Sequence, residues 1–267
     1  RGINNYVPHA FTAKDFPDPD CPPHFYARGN NGQFQWFAQL MKYAERMCGM
    51  LNGGNHKASV ALLYDGEADW AGDHSPMQKV GRVLMQHQIE FDVVSCDMLR
   101  NLEQYQGTFD GKTLTINGVS FEALIIPHAS YLPACVAEFA GRSKGFPVIF
   151  TDGFPNGFLE DGTGQSGMPW DGSDCVRRNQ SCICAPQEKL AEQLGNMGLR
   201  NITLHPAFDM LTVYHYQKKG QMFLVMNESA EEAYHGVLEL PAKDKLYIYD
   251  GEQDRTGQDR TGQDRTG

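Results

Sequence analysis

Short apolar runs alternate with helix-like periods in the central part of the chain, from residue 58 to residue 153. Residues 58–65 are almost continuously apolar before turn residues begin, which is typical of a strand buried on both faces. In residues 76–88 the apolar positions recur with the spacing of one helix face, at Met77, Val80, Val83 and Leu84. Pro76 suits the first turn of that helix. The pattern therefore predicts a strand followed by a helix.

The same rhythm continues through three more predicted strands, at residues 91–96, 123–127 and 147–151, with a helix over residues 133–144. Parallel neighbours need a crossover connection, so this order favours an open parallel sheet with helices on both faces, wound right-handedly. The predicted fold class is α/β. The sheet is expected to be flavodoxin-like or Rossmann-like, a layout that class I glutamine amidotransferases share.

The amino-terminal part has a different organisation. The pattern predicts a strand at residues 2–11, a long loop rich in proline and aspartate at residues 12–31, and an amphipathic helix at residues 34–51. A single strand and helix cannot close a barrel or cover their own apolar stripe. We therefore interpret residues 1–56 as the last βα unit of a (β/α)8 barrel, whose ligand-facing loops lie at the carboxyl ends of strands.

The sheet region is expected to end near residue 207. Asn117-Gly118 between two alternating runs predicts a tight β-hairpin.

Residues 154–185 are rich in Gly, Asp, Ser and Pro and are predicted as a long surface loop. A helix at residues 186–197 and a strand at residues 202–205 are expected to be the last βα elements of this domain, which covers residues 57–207.

Beyond residue 208 the pattern becomes antiparallel, with four short alternating runs before residue 251. Four strands are too few to bury both faces of a sandwich, so residues 208–251 are predicted to be a partial antiparallel β-sandwich. Residues 252–267 contain QDRTG three times without a large apolar residue. We expect this repeat to be disordered or an artefact.

The composition and net charge of the chain disfavour some classes of binding partner and favour a cellular location. With 267 residues and 41% hydrophobic content the chain can bury a core, and the formal net charge of -10 disfavours nucleic-acid and anionic-membrane partners. No apolar run approaches the roughly 18 to 20 residues that cross a bilayer. Seven cysteines, an odd number without framework spacing, indicate mostly reduced thiols and favour a cytoplasmic location over secretion.

The order of parts resembles the rear half of large bacterial glycoside hydrolases, in which a (β/α)8 barrel is followed by a flavodoxin-like domain and a β-sandwich. It is most similar to β-galactosidases whose middle domain mediates trimerisation, and to multidomain α-L-rhamnosidase-like sugar hydrolases. The resemblance covers roughly residues 2–250. It rests on the phrases NNYVPHAF, DFPDPDCPPHFYARGNN, VALLYDGEADWAG, LIIPHASYLP and YHYQKKGQMFLVMNES.

This resemblance implies a carbohydrate substrate for the parent enzyme, a homo-oligomer and no cofactor. In such families both catalytic carboxylates lie on earlier barrel strands, so the chain is expected to lack them. Its expected role is that of a scaffold that oligomerises and lines the sugar site, inactive alone.

Candidate sugar-binding side chains occur in two places. Amide and imidazole groups donate and accept hydrogen bonds to hydroxyls, and aromatic faces stack on pyranose rings. The alternative is that these residues tie their loops together, because aspartates beside prolines commonly make turn hydrogen bonds. The candidates are His9, Asp18, Asp20, His24, Tyr26, Arg28, Asn30 and Asn31 in the first loop, and Glu67 and Trp70 after the first sheet strand.

Two other enzyme-like functions are less well supported. The acidic residues 65–70 would repel phosphate, and neither Gly-rich phosphate motif occurs, so nucleotide binding is disfavoured. An amidotransferase-like enzyme needs a cysteine on a sharp strand-to-helix turn, whereas Cys135 comes several residues late and lacks flanking glycines. A non-enzymatic interaction domain is the third hypothesis.

A metal site is not predicted. Cys175, Cys182 and Cys184 with His205 lack the paired CxxC spacing of zinc knuckles.

Overall fold

The computed structural model describes residues 2–9, 25–159, 173–243, 245–251, 253 and 255–258. The chain forms two units, one built from Arg1–Gly54 and Ala242–Gly267 and the other from Asn55–Pro241. None of the described helices has both the length and the apolar character needed to span a bilayer. The predicted domain limits at residues 56, 207 and 251 stay predictions.

Helices and strands alternate through most of the described chain. The helices are α1 Phe34–Met50, α2 Ala68–Ala71, α3 Met77–Gln86, α4 Cys96–Arg100, α5 Ala134–Gly141, α6 Ser173–Arg178 and α7 Leu190–Asn196, with 3-10 turns at Ala27–Gly29, Leu102–Tyr105 and Gln187–Lys189. The strands are β1 Asn55–His56, β2 Val60–Tyr64, β3 Phe91–Ser95, β4 Thr108–Phe109, β5 Leu114–Ile116, β6 Val119–Phe121, β7 Ala123–Ile126, β8 Tyr131–Pro133, β9 Val148–Thr151, β10 Gly157–Leu159, β11 Cys182–Ala185, β12 Thr203–His205, β13 Leu211–Gln217, β14 Gln221–Asn227, β15 Val237–Glu239, β16 Tyr247–Asp250 and β17 Arg255–Gln258.

A five-stranded parallel sheet forms the centre of the larger unit, in the order β11-β9-β7-β2-β3. Successive side chains of a strand point to opposite faces. Val60 and Leu62 of β2 therefore face one side, and Ala61 and Leu63 face the other, and all four are fully buried. The prediction of a parallel α/β sheet covered on both faces is confirmed, since only layers on both sides exclude water from a continuous apolar run.

Two separate apolar cores account for that burial. On one face, Leu84 of α3 and Leu190 of α7 pack in the core that contains Leu62. On the other face, Phe139 of α5 packs with Phe150 of β9 in the core that contains Leu63. The sheet is therefore the middle layer of three.

The predicted hairpin is also confirmed. β5 and β6 pair antiparallel, with Ile116 opposite Val119. Asn117 and Gly118 between them have φ values of 48° and 79°. Two successive positive φ values are what a type I′ turn requires, and Asn-Gly tolerates them best.

Two sequence predictions need correction near the ends of long loops. Residues 2–8 form no strand. The predicted surface loop at residues 154–185 contains β10, α6 and β11, and β11 is the fifth strand of the parallel sheet, paired with β9. Its sequence, CICA, is short and mixed with polar neighbours, so its periodicity was too weak to separate it from a loop.

The antiparallel strands form separate small sheets. β13 pairs with β1 and β14, and β16 pairs with β17. The strand predicted at residues 202–205 is present as β12, but it pairs antiparallel with β15 and is not a parallel strand of the βα pattern. β17 lies inside the QDRTG repeat, where a disordered or artefactual segment was expected, and the rest of that repeat lies outside the described residues.

A buried histidine links the antiparallel strands to the parallel sheet. His56 of β1 donates from Nδ1 to Asp92 Oδ1 at 2.6 Å and from Nε2 to Glu90 Oε2 at 2.5 Å. The backbone N–H of His215 in β13 donates to the same Glu90 oxygen at 3.1 Å. The His56 ring also stacks on Tyr214, with ring centroids 4.2 Å apart. Glu90 thus joins β1, β13 and the start of β3.

These contacts determine the protonation of His56. Burial lowers the pKa of the imidazole, but hydrogen bonds to Asp92 and Glu90 outweigh burial, and the pKa is raised above its ordinary value of 6.5. Two donating nitrogens mean a protonated ring. A raised folded-state pKa gives stabilisation that is fully present below pH 6.5 and is lost as the pH rises through the folded-state pKa.

Replacing His56 by glutamine is expected to reduce the free energy of unfolding by about 3 kcal/mol at pH 6, because Glu90 keeps a buried charge without a cation. The deficit should shrink toward pH 9, because a rising pH removes the proton from wild-type His56 as well. Urea unfolding at both pH values measures it. The exposed His87 gives the control, since His87→Gln should change stability by less than about 0.5 kcal/mol. An equal His56→Gln deficit at both pH values would contradict the account.

Candidate functional site

The carboxyl ends of β2 and β7 enclose a cavity of about 190 Å³. From β2 the chain passes to β3 on one side, and later to β7 on the other, so the strand order reverses here. In open α/β sheets, ligands collect at this position, because the loops on the two sides diverge. The lining residues that carry polar side chains are Tyr64, Asp65, Asp69, His74, Ser75, Gln78 and His128.

Two histidine–aspartate pairs occur in the cavity walls. His74 pairs with Asp69, and His128 Nε2 lies 3.8 Å from Asp73 Oδ2. The backbone N–H of Ser75 donates to His128 O at 2.7 Å. These contacts join the loop after β2 to the loop after β7.

The His128 ring has one polar atom without a partner. The backbone N–H of this residue donates to Thr151 Oγ1 at 2.9 Å, which fixes the start of the loop. Its ring Nδ1 is buried and makes no hydrogen bond to any of the described residues. Because an unmatched buried polar atom costs free energy, the geometry leaves a capacity to bind a polar group.

Asp65 is the most strongly perturbed acid of the cavity wall. Both of its carboxyl oxygens are buried, and neither accepts a hydrogen bond of normal geometry. Burial, reinforced by the nearby Glu67 carboxyl group, raises the pKa of Asp65 to about 7, although the Glu67 and Ala68 amides oppose the rise. This carboxyl group therefore takes up a proton near neutral pH.

A pair of cysteines adjoins Asp65. Cys96 follows β3 directly, and Cys135 lies in the first turn of α5 with its Sγ 3.9 Å from the Cys96 carbonyl oxygen. Both residues are buried, at 3% and 8% exposure. The hydrogen bond with Cys135, together with burial, raises the pKa of Cys96.

The structure places Glu67 and Trp70 beside this edge of the sheet. Glu67 directly precedes α2, and its Oε1 lies 3.9 Å from Arg100 Nη1. Trp70 is in α2 and is 72% exposed. Neither residue lines the cavity, and their sugar-binding role stays a prediction.

The amino-terminal candidates belong to the other unit, residues 1–54 with 242–267. Tyr26 packs edge-on against Phe34, with ring centroids 5.0 Å apart, and Asn31 Oδ1 accepts from the Gln33 N–H at 2.9 Å. Arg28 has a φ of 54°, which marks a tight turn. His9, Arg28 and Asn30 are exposed, whereas Asp18, Asp20 and His24 lie outside the described residues.

Sequence reasoning missed the two cavity histidines. His128 follows the strand predicted at residues 123–127, and this position was the available clue, since residues after parallel strands meet at one edge. No local sequence pattern indicated that His74 lines the cavity, because its position depends on an isolated antiparallel bridge to the distant residue Ala129.

Similarity to solved structures extends over most of the chain. A rhamnosidase from Novosphingobium sp. PP1Y matches 85% of it with a TM-score of 0.59 at 15% identity. A catalytic mutant of Gan42B, a GH42 β-galactosidase from G. stearothermophilus, matches 87% with a TM-score of 0.51 at 14% identity. The chain spans 22% of the rhamnosidase and 42% of the β-galactosidase.

These matches show a shared fold with parts of two glycoside hydrolases. No protein-family model matches the sequence, and no curated protein does at the sequence level.

The amidotransferase alternative depends on Cys135 acting as a nucleophile. Cys135 is the second residue of α5, which begins directly after β8, and no glycine flanks it as a sharp nucleophile turn would need. A nucleophile must be reachable by its substrate, whereas this thiol is buried beneath its neighbours.

Alkylation should distinguish the thiols. With iodoacetamide and native protein, the exposed Cys175 and Cys184 are expected to react first, while Cys96, Cys135 and Cys182 should be at least tenfold slower because they are buried. Peptide mass spectrometry measures the order. The hydrogen bond from Cys96 lowers the pKa of Cys135, which favours its thiolate, so rapid labelling there would revive the amidotransferase alternative.

Proposed function

We propose that this chain is the carboxyl-terminal portion of a carbohydrate-active glycoside hydrolase related to β-galactosidases and α-L-rhamnosidases. Residues 1–56 contribute the end of its barrel, residues 57–207 a flavodoxin-like domain and residues 208–251 a partial β-sandwich. The chain acts as a scaffold that oligomerises and lines the sugar site. The observation that carries the proposal is the fold similarity to two such hydrolases over 85% and 87% of the chain.

Helix α1 supports the barrel origin of the amino-terminal part. It has 17 residues and a strongly amphipathic sequence, yet none of its side chains is buried. Trp36 and Leu40 are 62% and 49% exposed. Because most helical stability in proteins comes from packing an apolar face, this helix fits a surface that another part of the parent covers.

The acidic groups of the cavity edge do not fit glycoside hydrolysis. That reaction needs a carboxylic acid and a carboxylate that flank the scissile bond. Asp65 and Glu67 are close together, but both oxygens of Asp65 are sealed from solvent. A sugar oxygen outside the cavity wall would not reach them, which supports a chain without its own catalytic pair.

Self-association is part of the proposed function. The strands β14 and β15 expose apolar side chains at Val225, Met226 and Val237, with 47%, 59% and 59% exposure. Apolar side chains that are exposed to water are available for contact with a partner surface. Sedimentation equilibrium at several concentrations distinguishes an oligomer from a monomer.

The purified chain is expected to hydrolyse no nitrophenyl glycoside above the buffer rate, because the parent's catalytic pair is proposed to lie outside it. A panel of β-galactoside, α-rhamnoside and related substrates, followed by absorbance, measures this. A measurable rate that disappears when a single carboxylate is replaced would overturn the proposal.

A pair of leucine substitutions tests whether α1 is packed. Leu40→Ala on α1 should cost less than about 1 kcal/mol, because the side chain is half exposed. Leu51→Ala, just after α1 and 7% exposed, should cost about 2 to 5 kcal/mol. Chemical unfolding of the whole chain measures the change in unfolding free energy for both variants. Equal losses would show that α1 is packed within this chain and would remove the support for a missing cover.

A further inference from the structure

Two carboxyl groups and a thiol meet where β2 and β3 end. The register pairs Tyr64 with Ser95, so the next residues, Asp65 and Cys96, leave the sheet side by side. Glu67 joins them from the start of α2. One oxygen each of Asp65 and Glu67 and the sulfur of Cys96 lie within 4.8 Å of one another.

This arrangement is costly without a bound positive charge. Each Asp65 oxygen exposes less than 1 Å² and accepts no hydrogen bond of normal geometry from the described residues. Cys96 is 3% exposed, so its sulfur is also removed from water. Two acids and a thiol in one partly dry site repel each other when ionised, so the site needs protons or a cation.

We propose that Asp65, Glu67 and Cys96 bind one divalent metal ion of the zinc class, with water as a fourth ligand. The mixed ligand set selects the metal. Magnesium and calcium prefer oxygen alone, whereas zinc accepts thiolate and carboxylate together. Tetrahedral bonds of about 2.0 to 2.3 Å place ligand atoms roughly 3.3 to 3.8 Å apart, so small side-chain rotations suffice.

The surroundings allow the ion to enter and the charge to be balanced. Asp65 also lines the cavity of about 190 Å³, so a rotation of its side chain toward that cavity gives an ion access to the site. Arg100 Nη1 lies 3.9 Å from Glu67 but 3.0 Å from Asp97, so Asp97 holds the guanidinium when Glu67 turns to the ion. The inference concerns this chain alone and does not depend on a glycosidase parent.

The competing occupant is the proton. A shared proton between Asp65 and Glu67 would also relieve the repulsion, and it would leave Cys96 as a thiol. Metal binding instead displaces protons and creates a metal–sulfur bond, which gives the two states different signatures.

Cobalt titration tests the site directly. Chelator-treated protein is titrated with Co²⁺ alone and then with Zn²⁺ alone, while thiolate-to-cobalt charge transfer is followed in the near ultraviolet. One equivalent of Co²⁺ should bind, and Zn²⁺ should displace it. Asp65→Asn and Glu67→Gln should each weaken binding at least tenfold, and Cys96→Ser should abolish the charge-transfer band.

Two matched variants serve as controls. The exposed Glu103 and Cys184 provide a carboxylate and a thiol outside the site, so Glu103→Gln and Cys184→Ser should bind cobalt like the wild type. X-ray absorption of the zinc-loaded wild type requires no variant, and it should show one sulfur neighbour at about 2.3 Å with lighter atoms near 2.0 Å.

Three results would overturn the inference. They are no cobalt binding at millimolar concentration, a zinc-loaded protein without a sulfur neighbour, and a charge-transfer band that survives in Cys96→Ser or disappears in Cys184→Ser. The first of these would leave the shared proton as the occupant, and none of them bears on the glycosidase assay.

Discussion

The buried carboxylate of Glu90 is the contact on which the larger unit depends. It accepts hydrogen bonds from the His56 ring and from the His215 backbone, at 2.5 and 3.1 Å, and is only 6% exposed. A buried charge is tolerated only when it is paired and hydrogen-bonded. Glu90 therefore fixes where β1 and β13 lie against the parallel sheet, and it does so more specifically than apolar contact, which has no preferred direction.

Buried polar groups are paired differently at the amino and carboxyl ends of the parallel strands. At the amino ends of the strands, His56 forms hydrogen bonds with the carboxylates of Asp92 and Glu90, and the adjoining cavity measures about 20 Å³. At the carboxyl ends of the strands, the Asp65 oxygens and the His128 Nδ1 atom are buried beside about 190 Å³ of space and make no hydrogen bond of normal geometry within the described part of the chain. The first arrangement stabilises the fold, whereas the second keeps polar groups available to a ligand. This contrast locates the candidate site independently of any similarity to other proteins.

Sequence patterns predicted those parts of the fold that depend on local chemistry. The apolar runs of β2, β3, β7 and β9 indicated a doubly covered sheet, and Asn117-Gly118 specified its own turn. The missed elements depend on distant partners. β11 is a strand because β9 lies beside it, and β12 leaves the sheet because β15 pairs with it. For the cavity, the sequence indicated only its location at the carboxyl ends of the strands. The contribution of His74 could not be predicted, because its bridge to Ala129 has no local sequence pattern.

The smaller unit draws on both ends of the sequence. Arg46 donates from Nε and Nη2 to the Gly251 carbonyl oxygen at 3.1 and 2.7 Å, across a separation of 205 residues. During translation, that carbonyl leaves the ribosome only after the whole intervening unit has emerged. Closing so long a loop is entropically costly unless the intervening chain is already folded and holds its ends near each other. The larger unit should therefore fold on the nascent chain before the hydrogen bonds between Arg46 and Gly251 form.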